Sequence, residues 1–168
     1  MKPMKTSITK QGICSILALA VLISCQDKEK GNREYRKTQI PVIEKTIKDA
    51  IGWAKDKDFG LLYSVIANDS NYLEVDPGTE IIRGFDKFKK NETFWASPDF
   101  KAISYKISGL TINLSNKGDV AWFFCVLDDV NEWKGQPACW MNTRWTGVLE
   151  KRKEKWVIVQ MHFSFSKE

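Results

Sequence analysis

Histidine is almost absent from this 168-residue chain, which has only His162, and cysteine is scarce at four. One histidine and four scattered cysteines cannot supply a Cys/His set at zinc-ligand spacing, and no metal site or cofactor is called for. Four cysteines are also too few for a disulfide-framework miniprotein. A long hydrophobic run is missing. The apolar stretch from Gly12 to Ile23 reaches only about 18 Å as a helix, against a hydrocarbon core of about 30 Å. Five prolines and ten glycines exclude a collagenous or low-complexity chain. What is present, 43% apolar and 28% charged side chains, fits one ordinary globular domain and leaves no room for two full-sized ones.

Charge of one sign is not in large excess either. The formal +5 suggests an anionic partner, but Lys2, Lys5 and Lys10 lie ahead of the Gly12 to Ile23 run as the positive end of a signal peptide over residues 1–24. Removing that segment takes away three lysines and no acid, and brings the charge from +5 down to +2. No basic stripe interleaved with aromatics is left in the body of the chain, so nucleic acid is not an expected partner. The run ends in Leu22-Ile23-Ser24-Cys25, which resembles the bacterial lipobox. The resemblance implies cleavage before Cys25, lipidation of that cysteine and anchoring in the cell envelope, on the periplasmic or the cell-surface face of a bacterial membrane. Several acyl chains hold a protein on a membrane far better than one. A soluble secreted protein is the alternative.

Residues 25–38 are polar, mixed in charge and nearly free of aliphatic side chains, and read as a tether. The folded domain is expected over residues 39–168. Ile43, Ile47, Ala50, Ile51 and Ala54 recur at helical spacing and predict a helix over Ile40 to Lys55, with Pro41 near its first turn. Asp58 suits the cap of a second helix carrying Phe59, Leu62 and Val65. A short strand over Tyr72 to Val75 turns at Asp76-Pro77-Gly78-Thr79 and returns over Glu80 to Arg83, and Gly84 opens a third helix that Pro98 ends. Four long β-rich segments follow: Lys101 to Leu114, Asp119 to Asp128, Cys139 to Glu150 and Lys155 to Phe165. Their connections are short and polar, which predicts an antiparallel meander. Helices first and long strands afterwards make an α+β domain.

Several stretches carry a family resemblance: Asp76-Pro77-Gly78 with Ile82-Arg83-Gly84-Phe85, Thr143 to Leu149, and Lys155 to Ser164. The chain resembles the nuclear transport factor two-like superfamily, in its SnoaL-like branch of cone-shaped domains. This implies N-terminal helices packed on a curved antiparallel sheet, with a pocket inside the cone. The superfamily hosts isomerases, dehydratases, cyclases, transport factors and kinase association domains, so function has to be argued from the site.

Alternate side chains of a strand share a face. That parity groups Trp122, Phe124 and Asp128, groups Arg144 with Thr146 and Val148, and groups Trp156, Ile158, Gln160, His162 and Ser164. The resemblance directs these faces into the cone. The candidate ligand-binding residues are then Arg144, His162, Trp122, Phe124, Tyr63 and Trp53. Arg144 matches a pocket arginine of the kinase association domains and reads either as an anchor for a carboxylate or as half of an internal ion pair with Asp128, Glu150 or a helix acid. His162 is the one side chain that titrates near neutrality, and its roles as a structural, ligand-contacting or catalytic residue stay open. Asp128 is the only strand acid of inward parity on this reading, and no base with facing donors assembles around it.

The expected function is therefore a lipid-anchored module that binds a small anionic or aromatic molecule without catalysis. The alternatives are an isomerase, dehydratase or cyclase, and a homodimer formed through the sheet with outward Cys125, Met141, Trp145 and Phe163. Trp133 and Trp140 would rim the pocket or meet a second subunit. Cys125 and Cys139 read as cross-strand neighbours, either bridged or free.

Overall fold

In the computed structural model the backbone is described over residues 10–166 and the side chains over residues 31–166. Residues 1–9 and the side chain of Cys25 lie outside the described residues. The chain divides into two units, residues 1–38 and residues 39–168. The second unit carries the sheet.

Helix α1 spans Lys10–Gly52, with Pro41 inside it, so its start lies well ahead of the expected Ile40. The backbone of Gln26 to Thr38, read above as a polar tether, is helical. That stretch is rich in Lys, Glu and Arg, which are good helix formers even without an apolar face, and the contacts Arg36 to Asn32 and Lys37 to Glu34 fall at helical spacing. Within the domain the stripe of Ile43, Ile47 and Ala50 is buried, as its spacing predicts. A 3₁₀ turn, Trp53–Lys55, ends the segment. Asp58 caps α2, Phe59–Val65, by accepting from Leu61 N at 2.8 Å. Two short helices, α3 (Phe85–Lys89) and α4 (Glu92–Trp95), stand where one was expected. Gly84 enters α3 at φ 81°, a conformation that side chains with a Cβ resist, while its N–H donates to Tyr72 O at 2.8 Å.

The strands are β1 (Leu73–Val75), β2 (Ile81–Arg83), β3 (Phe100–Leu114), β4 (Val120–Trp133), β5 (Gln136–Pro137), β6 (Trp140–Arg152) and β7 (Lys155–Ser164). They form one sheet in the order β2-β1-β7-β6-β4-β3, with β5 on β4. The predicted meander is the antiparallel series β3, β4, β6, β7. β4 runs further than expected, to Trp133, because Phe100 to Ala102 of β3 pair with Asn131 to Trp133. β1 is antiparallel to β2 and parallel to β7, and the latter pairing sets Glu74 beside Met161. The architecture is α+β, with a strongly curled sheet matching the cone-shaped fold.

Which face of the sheet is buried differs from the parity expected above. On β4 the buried side chains are Ala121, Phe123, Cys125 and Leu127, and on β6 they are Thr143, Trp145 and Leu149. Trp122 and Phe124 point the other way and are 47% and 42% exposed. The reason is transfer free energy. The two faces of β4 are alike, each apolar up to an acid at Asp128 or Asp129, so β6 decides: its even-numbered residues include Arg144 and Glu150, whereas Thr143, Trp145 and Leu149 carry no charge. β7 obeys neither single parity. The register against β6 slips between Val148 and Leu149, leaving Val159 as a bulge. Trp156 and Ile158 are buried before it, and Met161 and Phe163 after it.

Gly147 sits where this inner face is tightest. A Cβ there would lie 2.5 Å from the Phe123 ring and 2.8 Å from Gln160 O, and the carbonyl cannot retreat without breaking the ladder. Gly147→Ala is expected to cost about 1–3 kcal/mol of stability, read as a drop of several degrees in melting temperature; an unchanged melting temperature would show that the sheet relaxes freely at this point.

Candidate functional site

A cavity of about 270 Å³ lies within the 39–168 unit. Helical residues Ala50, Trp53 and Leu62 line it from one side, and Phe88, Phe94 and Trp95 from α3 and α4. The sheet contributes Glu74, Asp129, Asn131, Trp140, Met161 and Phe163. The rings support one another: Trp53 meets Trp95 edge-on at 5.1 Å, Trp95 meets Phe88 at 5.2 Å, and Trp140 meets Phe163 at 5.3 Å.

Three polar side chains interrupt this apolar wall. Glu74 stands in the middle of β1, whose alternation turns it inward while Leu73 and Val75 face the other way, and it is 7% exposed. Tyr72 Oη donates to Glu74 Oε2 at 2.5 Å, and the Tyr72 ring is packed edge-on against Phe88. Burial pushes the Glu74 carboxyl up from 4.5 to about 8, and the negative charge of Asp76 and Glu80 adds to that, against the opposing hydrogen bond from Tyr72. Asp76 Oδ1 is buried with no hydrogen-bond partner among the described residues. Burial likewise raises Asp76.

On the other side of the cavity β4 turns Asp129 and Asn131 inward. Asn131 Nδ2 donates to Asp129 Oδ2 at 2.8 Å, and Ala138 N donates to Asn131 O at 2.9 Å, which fixes the loop that closes this end. Burial raises the Asp129 carboxyl, opposed by the Asn131 hydrogen bond. Asn131 Oδ1 is buried and has no hydrogen-bond partner.

Of the expected ligand-binding residues, only Trp53 lines this cavity. Tyr63 stands behind the wall. Its hydroxyl donates to Glu92 Oε2 at 2.6 Å and ties α2 to α4, and its ring packs on Phe59 and Phe85. Trp122 and Phe124 lie on the opposite face of the sheet, along a groove shared with Thr146, Val148 and Gln160. Arg144 and His162 are exposed. The Arg144 guanidinium donates to Phe165 O, not to a pocket anion, while Asp128 accepts from Asn142 N and Glu150 from Arg152. Both readings of Arg144 as an enclosed cation are thereby corrected, since its parity was assigned to the wrong face. The interface residues change too: Cys125, Trp145 and Phe163 are buried under the helices, and only Met141 is exposed. Trp140 does line the cavity, and Trp133 packs on Phe94 at 4.6 Å near its wall. Cys125 pairs with Trp145 and Cys139 precedes β6, so the two are not cross-strand neighbours. Both are free, Cys125 buried with its thiol pushed up to about 12 by burial and Cys139 exposed.

Glu74 and Asp129 are the residues that sequence reasoning missed. The signal for Glu74 was an acid alone between Leu73 and Val75 in a short apolar strand. For Asp129 it was the odd-numbered parity of Phe123, Cys125 and Leu127, carried two residues further.

A helical layer on a curled sheet with a cavity between them defines a cone-shaped domain of the nuclear transport factor two-like kind. The chain belongs to the SnoaL-like domain family, which it matches over residues 43–168. No curated protein matches it. Among solved structures it is similar to a nuclear transport factor two-like protein from Cytophaga hutchinsonii, at a TM-score of 0.62 and 14% identity over 76% of this chain and 98% of that one. A candidate dehydratase of the same family from Streptomyces avermitilis aligns at 0.68 and 15% identity, covering 79% and 99%. A candidate scytalone dehydratase from Novosphingobium aromaticivorans aligns at 0.70 and 12%, covering 80% and 89%. At these identities the likeness concerns the fold alone.

The raised Glu74 carboxyl links stability to pH. The folded chain holds a proton that the unfolded chain releases above pH 4.5, so this contribution is complete below that value and is lost as pH rises through about 8. Asp76 acts in the same direction. The melting temperature should fall across this window, and Glu74→Gln, which keeps the neutral shape, should flatten the fall; an equally steep profile in that variant would place the titration elsewhere.

Proposed function

We propose that this chain is an exported, membrane-anchored SnoaL-like domain that binds a small, ring-containing molecule in the cavity between its helices and its sheet. The observation that carries the reading is the 270 Å³ aromatic cavity interrupted by Glu74, Asp129 and Asn131. An apolar chamber with a few convergent polar groups is the usual form of a small-molecule site, and drug-sized ligands occupy about 300–1,000 Å³. The volume therefore suits one or two rings. An anionic ligand loses its support: Arg144 stands on the far face, and the ionisable side chains lining the cavity are carboxyls.

One observation favours a second reading, a proton-transfer enzyme of the dehydratase or isomerase kind. Glu74 keeps its proton and Asp129 sits across the same chamber, and two carboxyls held in different environments can serve as acid and base. Binding without catalysis is preferred because the Glu74 group is already engaged by Tyr72.

The test is thermal melting of the full-length chain against a panel of small aromatic compounds. At least one should raise the melting temperature, and Ala138→Phe, which adds a ring at the cavity wall, should abolish that rise. A compound that stabilises both proteins equally binds elsewhere and removes the reading. Conversion of a bound compound, followed by NMR and lost in Asp129→Asn, would move the preference to the enzyme.

The anchor rests on the lipobox-like Leu22-Ile23-Ser24-Cys25. The wild-type chain is expected in the membrane fraction of a bacterial host and Cys25→Ser outside it; equal retention of the two would exclude lipidation at this cysteine.

A further inference from the structure

The polar groups of the cavity are unbalanced in one direction. Among its lining residues there is no lysine, arginine or histidine. Asp129 receives one donor from the protein, Asn131 Nδ2, and forms no ion pair among the described residues. Asn131 Oδ1 is buried and receives none. Glu74 Oε2 already accepts from Tyr72 Oη at 2.5 Å. Apart from the indole N–H groups of its tryptophans, what the chamber offers is therefore acceptors, surrounded by the faces and edges of Trp53, Trp95, Phe94 and Trp140.

A neutral aromatic molecule would satisfy the rings and leave the acceptors empty. An anion would meet carboxyl oxygens. A cation with N–H groups satisfies both, because aromatic faces attract positive charge and do so more strongly away from water, while the ammonium donates to the carboxylate and the amide oxygen. We infer that the ligand of this cavity is an aromatic amine in its protonated form, with Asp129 as counter-ion and Asn131 Oδ1 as second acceptor. The inference rests on the proposed small-molecule reading and specifies its chemistry. The environment of Asp129 agrees: the residue is half-buried, has no cation beside it among the described residues, and its carboxyl is shifted upward by desolvation, a shift that an incoming ammonium reverses.

Three probes of nearly equal size separate the possibilities: 2-phenylethylammonium, the neutral 2-phenylethanol and the anionic phenylacetate, each titrated calorimetrically into the full-length chain near pH 7. The ammonium should bind at least tenfold more tightly than the alcohol, and phenylacetate should not bind. In Asp129→Asn the ammonium should weaken about tenfold while the alcohol is unchanged. If the alcohol or phenylacetate binds as tightly as the ammonium, the inference is overturned and the small-molecule reading survives. If none of the three binds while another compound proves sensitive to Ala138→Phe, the amine class is wrong; if no compound binds at all, both readings fall. An ammonium affinity unmoved in a folded Asp129→Asn protein also overturns the counter-ion. Should that variant not fold, the ranking of the three probes on the wild-type chain decides alone.

Discussion

The odd-numbered side chains of β4, Ala121, Phe123, Cys125 and Leu127, lie against the helical layer with essentially no solvent exposure. Once that stripe is buried, the pleat determines the orientation of every paired residue. Trp145 and Leu149 on β6 must join it, Arg144 and Glu150 must leave it, and Gly147 must stay without a side chain because the Phe123 ring already occupies the space. Further along the same strand the parity that buries Leu127 also turns Asp129 and Asn131 inward, where the helices leave a gap that side chains do not fill.

The polar groups of the gap owe their character to this enclosure. A carboxyl beside solvent would ionise in the ordinary range, but Glu74 lies beside Met161 and below the Tyr72 and Phe88 rings, where a charge is poorly solvated. Its carboxyl is pushed upward, and Tyr72 donates to its Oε2. Asp129 on the opposite wall has a single donor. The two acids thus differ in what they can offer a ligand, although both stand in the same chamber. That difference, not the fold, carries the functional argument, since the family fold serves unrelated activities.

The outer face of the sheet follows from the same constraint. Trp122 and Phe124 are exposed because the even-numbered face lost the competition for burial, and Arg144 lies on that face as well, bonded to the main chain of Phe165. The residues that made a cone interior chemically attractive on paper are a surface in the folded chain.

The succession of helices and strands was legible from periodicity and turn residues, within a few residues at most boundaries. The exceptions are β4, lengthened by its partner β3, and α1, which starts at Lys10. The SnoaL-like family was legible from short motifs on β2, β6 and β7. The site was not. Parity names two faces without saying which is buried. Resemblance directed the even-numbered one inward, although Arg144 and Glu150 on β6 already argued for the other.

By itself the sequence determined the elements, their order and the apolar stripes, because spacing along the chain is a local property. Tertiary structure alone decided which stripe met the helices, where Val159 bulges and reverses β7, and which acids would be shut away from water. Those outcomes depend on contacts between strands far apart in the chain, and no local pattern contains them.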